Sequence, residues 1–91
     1  MEKYRKQVWY EGRVQGVGFR YWTAEKAARL HVTGWVRNEP DGTVCCACRG
    51  EEEALEAFVK ALRRGPPQGR VDKIDIQPLP TKSMFRRFEI H

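Results

Sequence analysis

Residues 12–20 read Gly12-Arg13-Val14-Gln15-Gly16-Val17-Gly18-Phe19-Arg20, a glycine-rich junction between two stretches of different periodicity. Upstream, from Tyr4 to Val14, side chains alternate in the manner of a strand, with Val8, Tyr10, Gly12 and Val14 on one face and Gln7, Trp9, Glu11 and Arg13 on the other. Downstream, Arg20 to Leu30 is rich in helix formers, and Ala24, Ala27, Ala28 and Leu30 supply a narrow packing stripe beside Tyr21. The junction therefore carries the chain from strand to helix. Glycines spaced like Gly12, Gly16 and Gly18 reach backbone angles that side chains forbid, so consecutive N–H groups can converge on one point. A helix beginning near Phe19 aims its unpaired amides and positive dipole end at the same point. Arg20 adds a permanently charged, planar fork of donors suited to phosphate or carboxylate oxygens. The loop reads as an anion cradle, built for a phosphoryl group.

Working outward, Gly34-Trp35-Val36-Arg37-Asn38 forms a second strand, Glu39-Pro40-Asp41-Gly42 a hairpin turn, and Thr43 to Arg49 a third strand. A second helix opens at Glu51-Glu52-Glu53 and closes at Arg63-Arg64-Gly65-Pro66-Pro67, acids at its positive end and bases at its negative end. Leu55, Phe58, Val59 and Leu62 give that helix one apolar face, read as core. Ile74 and Ile76 alternate with Lys73, Asp75 and Gln77 in a fourth strand, and Met84 to Ile90 supplies a short last one. The order βαββαβ plus a short C-terminal strand predicts an α+β fold. It is a ferredoxin-like α/β sandwich, an antiparallel sheet with two helices on one face. That architecture hosts many activities, so the site has to name the function.

A chain of 91 residues has the size of one domain, residues 1–91, without room for a separate cofactor module. Hydrophobic residues at 41% and charged residues at 32% are ordinary for a folded chain and unlike a disordered one. No apolar stretch is long enough to cross a bilayer, and Met1-Glu2-Lys3-Tyr4-Arg5-Lys6 lacks the apolar region of a signal peptide. A cytoplasmic location is expected. The net charge of +5 favours anionic partners without choosing among metabolites, nucleic acid and lipid head groups. Cys45, Cys46 and Cys48 are too clustered to staple the domain with disulfides and are expected as reduced thiols.

Two nucleotide-binding patterns are absent from the loop. A Walker A loop ends in Gly-Lys-Ser/Thr, and a dinucleotide fingerprint needs a third glycine where Tyr21 stands. By itself the loop is equally a tight turn whose glycines serve packing and whose Arg20 is a solvated charge. Taken with Gly34-Trp35-Val36-Arg37-Asn38 and Asp41-Gly42, however, the stretch 12–20 resembles the acylphosphatases. The resemblance continues through Gly65-Pro66-Pro67, Val71 and Phe88-Glu89-Ile90, so it covers essentially the whole chain.

The resemblance implies an acylphosphatase, a hydrolase that splits a carboxyl-phosphate anhydride into carboxylate and inorganic phosphate. By the match, the substrate-binding residues are Val14, Gln15, Gly16, Val17, Gly18, Phe19 and Arg20, whose amides and guanidinium hold the phosphate. The catalytic residues are Arg20 and Asn38, the latter orienting the attacking water. A carboxylate leaves readily without a general acid, so positioning and charge stabilisation suffice, with no metal and no cofactor expected. An asparagine amide can accept from water through oxygen but cannot take its proton at neutral pH. The implied partner is a small-molecule acyl phosphate, with inorganic phosphate or sulfate as a ligand of the loop. No nucleic acid and no membrane partner are expected, and a monomer is the default.

Asn38 also fits a purely geometric role ahead of a proline-containing turn. Arg37 alternates to the other face, and Arg13 points away from Gly12 and Val14, so both stay outside the site. Two features depart from the family pattern. His31 stands where a glycine commonly ends the first helix, a position of left-handed backbone. Cys45, Cys46 and Cys48 stand where acidic and small apolar residues are more usual; alternation puts Cys46 and Cys48 on one face and Cys45 on the other, exposed and oxidisable. Only His31 and His91 could complete a zinc set with them, and small buried hydrophobes is the better reading of the pair.

Two alternatives stay open. One is a non-enzymatic RNA-binding domain of the same fold, drawn from the charge and from Trp9, Tyr10 and Trp35, although no segment carries the aromatic signature on which such domains stack bases. The other is an acylphosphatase-like domain of a carbamoyl-transfer maturation protein, against which stands the absence of zinc-type cysteine pairs after it.

Overall fold

The computed structural model describes residues 3–79 and 84–91. Alternation from the N-terminus produces β1 (Lys3–Arg13), the glycine junction produces α1 (Phe19–Arg29), and the hairpin joins β2 (Thr33–Asn38) to β3 (Val44–Glu51). Then follow α2 (Glu52–Arg64), β4 (Arg70–Pro78) and β5 (Phe88–Ile90). The strands form one sheet in the order β4-β1-β3-β2-β5. The first four pair antiparallel, whereas β5 runs parallel to β2, which makes the five-stranded sheet mixed. This is the ferredoxin-like α+β arrangement expected from the element order.

Because β1 and β2 are each antiparallel to β3, they point the same way, and β5 points with them. Their C-terminal ends therefore meet at one end of the sheet. The segments that leave those ends are the glycine loop, Asn38 with its turn, and His91. Topology alone brings together residues far apart in sequence.

The even-numbered side chains of the strands face the helices. Val8, Tyr10, Val36, Val44, Cys46 and Cys48 join Phe19, Ala27, Leu55, Phe58 and Leu62 in one buried cluster. Burying a side chain of this kind stabilises the fold by about 1.5–3 kcal/mol, so the cluster fixes the register of both layers. In α2, Leu55, Phe58 and Leu62 are buried as their spacing requires, and Val59 is half-buried.

The packing face of α1 differs from its alanine stripe. Phe19, Thr23 and Ala27 are buried, Trp22 and Leu30 pack against the core, and Ala28 and Tyr21 are exposed. The physical reason lies at its start. Phe19 stacks on Tyr10 at 5.1 Å and meets Trp22 edge-on at 5.5 Å, and these large rings set the rotation of the helix. The alanines offer too little area to compete.

Three further expectations shift. The final strand is only Phe88–Ile90, with Met84 to Arg87 outside it. The alternation of β1 breaks between Glu11 and Gly12, where the register against β4 slips; a Cβ on Gly12 would run into the Arg70 carbonyl. Cys45 is buried, not exposed, because the odd-numbered face is itself partly covered. Its thiol lies opposite Trp9 and Arg37 across the ladders and takes a hydrogen bond from Gln7 Nε2 at 3.5 Å. Burial pushes the Cys45 and Cys46 thiols upward, which keeps them neutral and unreactive.

Candidate functional site

The loop between β1 and α1 is shaped by two left-handed glycines, Gly16 at φ 75° and Gly18 at φ 73°. Gly18 is the N-cap of α1 and offers no side chain to it, and no acidic residue occupies the first turn. Trp22 donates its amide to the Gly18 oxygen at 3.0 Å, while the amides ahead of it lack intrahelical partners. The positive end of the helix thus opens toward the loop with nothing of its own to neutralise it. A Cβ on either Gly16 or Gly18 would meet no atom within 4 Å, so both glycines border open space.

The side chains of the loop take different roles. Val14 and Phe19 are buried and Val17 packs against the core, so these residues can offer a ligand only their main chain. Gln15 does more than the sequence disclosed: its Nε2 donates to the main-chain oxygens of Glu39 and Thr43, both at 2.9 Å. That bond pair ties the loop to the turn after Asn38. Nothing in the local sequence marks Gln15 for this, because its acceptors lie 24 and 28 residues away.

Arg20 is half-buried at the first turn of α1, and its Nη1 donates to the main-chain oxygen of His91 at 2.7 Å. His91 is itself anchored: its amide donates to the Val36 oxygen at 2.8 Å, and its ring stacks on Trp35 with centroids 5.6 Å apart. Val36 precedes Asn38 by two positions on β2, so this chain of bonds carries Arg20 to the strand that bears Asn38. The geometry brings the two catalytic candidates to one end of the sheet, as topology requires.

Asn38 shares the helix side of the sheet with buried Val36. Its Oδ1 is shielded from solvent and accepts no hydrogen bond from any described residue. Its neighbour Arg37 turns to the opposite face, where it pairs with Glu39 at 2.6 Å and lies 4.7 Å from the Trp35 ring centre. The turn that follows is self-supporting. Thr43 donates to Asp41 Oδ1 through its hydroxyl at 2.6 Å and its amide at 2.9 Å, and these bonds hold the Asp41 carboxyl below its ordinary range.

The aromatic side chains of the strands divide between the two faces. Tyr10 is buried under Phe19, with its phenol pushed well above its ordinary value by burial. Trp35 on the opposite face is flanked by Arg37 and His91. Among the described residues no three His, Cys, Asp or Glu side chains group as metal ligands.

Comparison with known proteins gives the family. The acylphosphatase family profile matches residues 6–90. The chain is 46% identical over 84 residues to an acylphosphatase from Rhizobium etli, covering 92% of this chain and 89% of that protein. It is 42% identical over 90 residues to one from Syntrophotalea carbinolica, covering 99% and 98%. The crystal structure of acylphosphatase from Bacillus subtilis superposes with a TM-score of 0.92 at 36% identity, covering 99% of both chains. The same fold recurs within full-length HypF at a TM-score of 0.85 and 27% identity, where it spans 12% of that chain. A match over nearly the full length, to whole proteins of this size, leads to one assignment: the chain belongs to the acylphosphatase family of hydrolases.

Proposed function

We propose that the amides of Val14, Gln15, Gly16, Val17, Gly18 and Phe19, with the Arg20 guanidinium, hold the phosphoryl group of an acyl phosphate while Asn38 orients the attacking water. Inorganic phosphate, or sulfate in its place, is a ligand of the same cradle. The observation that carries this reading is a helix N-terminus without an acid, opening at the sheet end that also bears Arg20 and Asn38.

In the reaction, the water oxygen bonds to phosphorus as the bond from phosphorus to the acyl oxygen breaks. The carboxylate leaves with the electron pair of that bond. The water proton passes to a phosphoryl oxygen, so the products are a carboxylate and dihydrogen phosphate. Arg20 and the amides oppose the charge on the equatorial oxygens, and the Gln15 bonds keep grip and water at a fixed separation. Residues 1–91 act as one monomeric domain in the cytoplasm, in keeping with three unbridged thiols.

The test is release of carboxylate from benzoyl phosphate by the wild type, Arg20→Gln and Asn38→Ala, each shown to be folded by circular dichroism. Loss of the guanidinium lowers kcat/KM by about 10³-fold, and loss of the water's acceptor lowers kcat by about 10²-fold. A folded wild type without turnover above buffer, or two variants at full rate, overturns the reading.

A further inference from the structure

Among the described residues, the loop side chains do not wall off a place for the acyl end of the substrate. Gly16 and Gly18 present open space, and their neighbours Val14 and Phe19 are turned into the core. Whatever discriminates between acyl groups must stand at the rim. Among the described residues the exposed large hydrophobic side chains are Tyr4, Tyr21 and Met84. Tyr4 begins β1 at the opposite end of the sheet, and Met84 lies there too, 3.6 Å from the Arg5 guanidinium. Tyr21 alone of the three belongs to the cradle end, one residue after Arg20, and it is 69% exposed.

Its position in the helix makes that exposure useful. Phe19, Thr23 and Ala27 define the buried side of α1, and at 100° per residue Tyr21 falls on the side away from them. Helical side chains tilt toward the N-terminus, so the ring leans toward the end of the helix where the phosphoryl group sits, not along the surface behind it. Among the described residues no hydrogen bond or ring contact engages Tyr21, whereas Trp22 beside it is engaged by Phe19 and by Lys26 at 5.7 Å. A largely exposed phenol ring in the first turn of that helix can stack on a planar acyl group but offers nothing to a methyl group of comparable value.

We propose that Tyr21 is the acyl-recognition residue and that it favours acyl phosphates bearing an aromatic or other broad, planar apolar group over short aliphatic ones. This rests on the acyl phosphatase reading above and adds the substrate class to it.

The experiment compares wild type, Tyr21→Ala and Tyr21→Phe on benzoyl phosphate and acetyl phosphate. In parallel, binding of benzylphosphonate and methylphosphonate, which are not hydrolysed, is measured by calorimetry. Tyr21→Ala raises KM for benzoyl phosphate about fivefold and changes that for acetyl phosphate by less than twofold, whereas Tyr21→Phe keeps both. The wild type binds benzylphosphonate about fivefold more tightly than methylphosphonate, and Tyr21→Ala abolishes that preference. Equal shifts for both acyl groups, or none, overturn the assignment. If the wild type turns over neither substrate yet binds the phosphonates with this preference, hydrolysis falls and the role of Tyr21 stands; if it turns over both without preference, the reverse holds.

Discussion

The two helices begin in opposite ways. At the start of α2 the chain places Glu52 and Glu53 in the first turn, so its own carboxylates neutralise the positive end. At the start of α1 there is no acid and no side-chain cap, only Gly18 in a left-handed conformation and an arginine that adds to the positive charge. For stability alone the acidic start is the better device; an uncompensated helix end forgoes about 0.3–1 kcal/mol that an acid would return. The difference teaches where to look for a ligand. One helix carries its counter-charge in its sequence, and the other leaves that place open, which is where the proposed phosphate site lies.

The comparison can be broken or sharpened in three steps, the first with the largest effect. Gln15→Ala removes both bonds that tie the α1 loop to the 39–43 turn. Its kcat is expected to fall about tenfold while phosphate still binds, because misplacement of the water relative to the grip is what is lost. Steady-state kinetics with phosphate as competitor separates the two; an unchanged kcat means that loop and turn act independently. Tyr21→Glu then gives α1 the acid that α2 already has. The inhibition constant of phosphate is expected to rise about fivefold, diminishing as salt is added, and a variant that binds phosphate as the wild type does refutes the open helix end as the anion site. The smallest step concerns the other ends of the helices. α2 finishes at Gly65 with φ 70°, whereas α1 is followed by His31 with φ 58°. His31 donates its amide to the Ala28 oxygen at 3.3 Å and Val32 to the Ala27 oxygen at 2.9 Å, a reversal that a glycine makes with less strain. His31→Gly is therefore expected to stabilise the protein by about 1 kcal/mol, a rise in Tm of about 5 °C, without a change in turnover. Calorimetry showing no gain would mean that the imidazole makes a compensating contact.

Much of this was legible in the sequence, and the reasons are local. The ends of α2 are marked by acids, bases and Gly65 within one turn of each boundary, and the Asp41-Gly42 pair marks the hairpin. The left-handed turn at His31 was expected from the resemblance, in which a glycine commonly ends the first helix at this position. The face of α1 was not legible, because a short helix of alanines and mixed polar residues has no strong apolar side. Its rotation is set by Tyr10, which lies nine residues earlier and reaches it only across the sheet. Cys45 was misread for a related reason. Alternation gives the face a residue occupies, but its exposure depends on Gln7, Trp9 and Arg37 from the neighbouring strands.

The sequence by itself determined the glycine-rich junction from strand to helix with Arg20 in the first turn, since glycine spacing, helix start and arginine are neighbours along one stretch of chain and their physics is short-ranged. It also determined the order of elements, through periodicities read over a few residues at a time. Only the tertiary structure decided that β5 lies parallel to β2 and that the His91 carbonyl meets Arg20 there. It likewise decided that Gln15 clasps a turn 24 residues away. In each of these contacts the acceptor is a main-chain oxygen, which every residue type carries alike, so no side-chain pattern could announce the partner before the strands had found their places.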